Sequence, residues 1–147
     1  MNLLLRLFLI PVGYIAAVLV AASTAALIEW LRAYGPVAHD PAALGITGMM
    51  VVTDWFLLLF VIGYAAAVPA LAAIVAAEIF ALRSALYFCG AGLAVAFLAG
   101  LTIQSDVLPP FVAEPAVAAA SGLAGGLAYW MSAGRWSGLR RVEPEPR

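Results

Sequence analysis

The sequence predicts an all-α integral membrane protein: a four-helix bundle of antiparallel up-down topology, with both termini on the cytoplasmic side. Three observations carry that expectation. The 147 residues are 66% hydrophobic and 10% charged, with a mean hydropathy of +1.08. A soluble domain carries about 45–50% apolar and about 25% charged residues, and a chain of this size still exposes roughly a third of its area when folded. The apolar residues fall into four uncharged runs, and the few charges sit at the ends of those runs.

The first run, Leu7 to Ile28, lies between Arg6 and Glu29. The others are Trp55 to Ala77, Ser84 to Ser105 and Ala116 to Gly134, flanked respectively by Asp54 and Glu78, Arg83 and Asp106, and Glu114 and Arg135. At 1.5 Å per residue they measure about 28–35 Å, enough for a hydrocarbon layer of about 30 Å. Two readings of the first run stay open. The small residues Ala21 to Ala25 resemble a signal-peptide cleavage site, but the run exceeds the usual apolar region of about 7–15 residues and favours an uncleaved anchor.

Charge sets the expected orientation. All seven basic residues are Arg; with the N-terminus inside, Arg6, Arg83, Arg135, Arg140, Arg141 and Arg147 share the cytoplasmic side, and Arg32 stands opposite. Trp30, Tyr34 and Trp55 then read as outer interfacial anchors, and Tyr87, Tyr129, Trp130 and Trp136 as inner ones. Residues 1–134 form one transmembrane domain, and 135–147 a polar cytoplasmic tail.

Between the first two runs, Gly35-Pro36 and Asp40-Pro41 are turn signals, so Ala33 to Gly48 reads as a loop. Met49 to Val52 either extends the second helix or lies flat on the outer leaflet, with Asp54 as cap of a helix starting at Trp55. Ile79 to Arg83 leaves room for a tight hairpin, with Ser84 as N-cap, and Pro109-Pro110 end the third span. Pro11 and Pro69 lie inside the first two spans and are expected to kink them.

Helices in lipid associate where small residues let backbones approach. Ala85, Cys89, Gly92, Ala96 and Ala99, with Gly100 beside them, form such a seam on the third span; Ala118, Gly122 and Gly126 form one on the fourth. The expectation is a close third-to-fourth pair through Gly92 and Ala96 against Gly122 and Gly126. Gly13, Ala17, Ala21 and Ala25 share a face of the first span. Tyr14, Tyr64, Thr24, Ser121 and Ser132 are the candidates for hydrogen bonds between helices. The echo of Gly13-Tyr14-Ile15-Ala16-Ala17-Val18 in Gly63-Tyr64-Ala65-Ala66-Ala67-Val68 is too short and Ala-rich to mark a repeat.

Chemistry is sparse. One Cys (Cys89) and one His (His39) exclude an intrachain disulfide, a Cys-x-x-Cys pair and a Cys/His zinc site. No charge lies near the middle of any span, which argues against proton coupling. A net charge of −1 offers no basic face for nucleic acid. No catalytic residue, metal ligand set or cofactor is expected, and the chain does not read as an enzyme. Glu29, Asp54, Asp106 and Glu114 form a possible outer rim attracting cations, and Glu78 is an inner carboxylate within reach of Arg83 or Arg135.

The segment Glu78-Ile-Phe-Ala-Leu-Arg83-Ser84-Ala-Leu-Tyr87 and the stretch Gly122-Leu-Ala-Gly125-Gly126-Leu-Ala-Tyr129-Trp130-Met-Ser-Ala-Gly134-Arg135 resemble those of small four-span bacterial inner-membrane proteins with no known activity. The resemblance implies location and topology. Neither the Asn- and Phe-lined pore of fluoride channels nor the Arg/Asn/Glu signatures of membrane glutathione-transferase relatives is present. The functional expectation is an accessory or assembly subunit acting through helix contacts, its partners the lipid bilayer and further copies of itself or a larger membrane complex. The alternative is an oligomeric channel or transporter for a small ion or solute.

Overall fold

The computed structural model describes residues 3–102 and 114–136. They form four helices, α1 (Leu3–Val37), α2 (Pro41–Ile79), α3 (Ala85–Thr102) and α4 (Pro115–Ser132), followed by a 3₁₀ turn at Gly134–Trp136. Asp106 and the rest of the third connection, with the tail beyond Trp136, lie outside the described residues. Two helices are long and apolar enough to cross a membrane, over Phe8–Gly35 and Pro41–Ile79; α3 is apolar over the shorter Ala85–Leu101.

The chain closes into a ring in which α1 touches α2 and α4, and α3 touches the same two. Neighbours run antiparallel. Gly13 lies beside Ala133 and Gly125 beside Ala17, so α1 ascends as α4 descends. The expected α3–α4 pair is present through Gly92 and Ala96 against Gly122 and Gly126, and α4 packs as extensively on α1 as on α3.

The first connection departs most from expectation. Residues Ala33 to Gly48 are not a loop: α1 runs through Gly35-Pro36, and α2 begins at Pro41. The cause is Asp40, whose carboxylate accepts from the N–H groups of Ala42 (2.9 Å) and Ala43 (3.3 Å) and so caps α2. Pro41 follows at the first helical position, where its missing N–H costs nothing. Asp54 is therefore no cap; it is half-buried inside α2, and Met49 to Val52 are helical. Pro11 and Pro69 lie within unbroken helices.

The second connection is tight for a readable reason. Ala81 adopts φ 51°, and Leu82 N–H reaches back to the Ala77 carbonyl at 2.9 Å. This is a Schellman ending with alanine where glycine is usual. Leu82 packs against the cluster that holds Ala77, supplying the hydrophobic contact of that motif. Ser84 directly precedes α3.

Two buried clusters fill the ring. One joins Ile74 and Ala77 of α2, Phe88 of α3, Tyr129 of α4 and Ala133. The other joins Ala22 and Ala25 of α1, Leu58 of α2 and Val117 of α4. Leu58 and Val117 are the largest fully buried side chains. Tyr129, expected at the inner interface, is instead a core residue, its ring tilted 34° against that of Phe88 with centroids 5.3 Å apart. Its ring fits there because Gly13 of α1 leaves the room.

Candidate helix-packing site

The densest contacts are made where side chains are absent. A methyl group built on Gly92 would run into the Gly122 carbonyl oxygen and lie 3.0 Å from Gly126 Cα. Built on Gly122, it would lie 2.6 Å from the Gly92 carbonyl oxygen and 2.8 Å from Ala96 Cβ. On Gly126 it would meet the Phe88 carbonyl. These obstacles are mostly backbone, so no rotamer change relieves them. The structure thus brings Gly92, Ala96, Gly122 and Gly126 together. Gly100 is not part of this contact: it is exposed, with open space around it. Ala118 is half-buried one turn beyond Gly122.

A second face of α4 meets α1 in the same manner. A Cβ on Gly125 would lie 3.0 Å from the Ala17 carbonyl oxygen and 3.2 Å from Ala21 Cβ. On Gly13 it would lie 2.8 Å from Ala133 Cβ. The sequence shows both ridges, but not that Gly125 turns away from Gly122 and Gly126 to serve a different neighbour. Successive positions on a helix are 100° apart, so a Gly125-Gly126 pair naturally serves two partners.

Aromatic polar groups tie the ring across its seams. Tyr14 O–H donates to the Gly63 carbonyl, joining α1 to α2. Trp55 Nε1–H donates to Ser23 Oγ (3.2 Å), Tyr87 O–H to the Ala73 carbonyl (2.8 Å) and Trp130 Nε1–H to the Arg83 carbonyl (2.9 Å). Of the residues expected to bond between helices, Tyr14 does so. Thr24, Ser121 and Ser132 bond to carbonyls one turn back on their own helices, and Tyr64 is 89% exposed. Trp55, Tyr87 and Trp130, read from sequence as anchors alone, are the ones that cross; nothing in the sequence marks which face their rings take.

The acidic residues separate. Glu114, at the start of α4, makes no cap bond and instead pairs with Arg32 of α1, both half-exposed. Asp54 is half-buried on α2, and Glu78 lies in the last turn of α2, at its other end. Among the described residues, no three His, Cys, Asp or Glu side chains are grouped to hold a metal ion. His39 is exposed in the turn before the Asp40 cap, and Cys89 is a half-buried free thiol. No protein-family model, curated protein or solved structure matches this chain.

Proposed function

We propose that this chain is an integral protein of the bacterial inner membrane, with four spans and both termini cytoplasmic, acting as an accessory or assembly subunit through helix contacts. One observation carries the membrane part. In the most apolar stretches of α1 and α2, 22% and 17% of residues are buried inside the protein. A core helix of a soluble protein hides its apolar face; these helices turn theirs outward, with Ile15 of α1 58% and Phe60 of α2 81% exposed. Hydrocarbon is the solvent that such faces fit.

The accessory role follows from what the ring is built of. Tyr14, Trp55 and Tyr87 hydrogen-bond from one helix to the next, and the closest contacts are glycine against backbone. Alkaline washing of membranes followed by gentle detergent extraction tests both parts. The chain is expected to stay with the washed membranes and to co-purify with a larger complex at fixed stoichiometry. Release by the wash would overturn the membrane reading. Ion flux in reconstituted vesicles that falls on Asp54→Asn or Glu78→Gln would replace the accessory reading with a channel.

A further inference from the structure

The α1–α2 hairpin continues past the layer at which α4 begins. Leu58 of α2 lies in one buried layer with Ala22 and Ala25 of α1 and with Val117, near the start of α4. Past that layer, α1 continues to Val37 and α2 returns from Pro41, roughly 15–20 Å of paired helix. The two helices stay in contact there, with Trp30 resting on Gly48, and Arg32 reaches back to Glu114.

This tip carries apolar side chains on both helices. Leu27, Leu31 and Tyr34 follow one another at helical spacing on α1, as do Ile46, Met49 and Met50 on α2. All six are exposed, Met49 most of all at 77%. On the membrane reading above, on which this inference rests, the 18-residue helix α4 marks the hydrocarbon layer, since it is about 27 Å long. The tip then stands on the water side, beyond the acyl chains that cover the rest of α2.

An apolar surface in water calls for a protein partner. Antiparallel helix pairs with apolar residues at spacings of three and four close against one another as four-helix bundles. Six large side chains exposed to this degree present on the order of 600 Å² per copy, so two copies would bury about 1,200 Å², the lower bound of a stable specific interface. Met49 and Met50 add unbranched side chains that fit an imperfect mate. We infer that two copies of this chain dimerise through the tips of their α1–α2 hairpins, forming a water-side four-helix bundle.

The test uses the full chain in mild detergent and in washed membranes. Light scattering is expected to give the mass of a dimer, and Met49→Glu with Met50→Glu to halve it by weakening association at least tenfold. In a Cys89→Ala background, Met49→Cys is expected to give a covalent dimer with a short bismaleimide, which keeps the proposal testable if the double variant misfolds. A monomeric native chain, or a double variant that remains dimeric, overturns the proposal. So does a double variant that comes off washed membranes at unchanged mass, because the tip is then held by lipid. Failure of the native chain to stay in washed membranes defeats the membrane reading separately, whatever mass it shows.

Discussion

Helices α4 and α2 solve opposite problems. In the 18 residues of α4, Val117, Ser121, Gly122, Gly125, Gly126, Ala128 and Tyr129 are buried; in the 39 of α2, Leu58, Ala66, Ile74 and Ala77 are. The short helix is clamped on two sides by backbone contact, and the long one gives most of its surface away. On the membrane reading, helices gain little from the hydrophobic effect on meeting, so stability follows how closely backbones approach rather than how apolar a helix is. The exposed positions of α2 should therefore tolerate substitution best.

The largest expected effect falls on the α3–α4 seam. Gly126→Leu or Gly122→Leu forces a side chain into backbone and should cost about 3 kcal/mol or more, or prevent folding. Thermal unfolding in detergent measures it. Gly100→Ala is the matched control, a small residue of the same helix pair facing open space. It should be neutral or stabilise by up to about 1 kcal/mol through lower unfolded-state entropy. If the two kinds of glycine respond alike, the contrast between clamped and free surfaces fails.

Leu58→Ala comes next. This residue is where α2 does enter the core, fully buried against Val117. Its loss should cost about 2–4 kcal/mol from the cavity left behind. Phe60→Ala, two positions along and 81% exposed, removes a larger side chain. It should shift stability by less than about 0.5 kcal/mol.

These contrasts also mark what the sequence made legible. Helix type follows from apolar runs interrupted by charge, and the pairing residues follow from small residues spaced by four. Both signals are local. The extent of α1 and α2 was hidden because Gly35-Pro36 and Asp54 carry turn and cap chemistry that the tertiary chain does not use; Asp40, capping α2 with Pro41 behind it, made a longer helix possible. The Arg32–Glu114 pair joins residues 82 apart in sequence, and no periodicity announces such a meeting.

A smaller effect is expected where the chain reverses between α2 and α3. Ala81 holds φ 51°, a conformation that puts its Cβ close to the following carbonyl oxygen. Ala81→Gly removes that conflict while keeping the Leu82-to-Ala77 hydrogen bond, at the cost of a freer unfolded chain. The net expectation is a gain of about 0.5–1 kcal/mol. A loss on unfolding in detergent would mean that the Ala81 methyl group contributes packing greater than its strain.

The finest comparison is between Tyr14 and Tyr64, which follow Gly13 and Gly63 in the short sequence echo. Their surroundings differ entirely. Tyr14 turns inward and donates to the carbonyl of Gly63, the neighbour of Tyr64, while Tyr64 turns outward and is 89% exposed. On the membrane reading, where hydrogen bonds between helices average about 0.6 kcal/mol, Tyr14→Phe should cost about that much, and Tyr64→Phe nothing measurable. The double variant should then equal Tyr14→Phe alone, since the two hydroxyls share no partner. A cost at Tyr64 in native membranes that vanishes in detergent would place a protein surface against α2 at that depth. The same cost in both media would mean that its hydroxyl bonds within the ring, and that α2 is less open than its exposure implies.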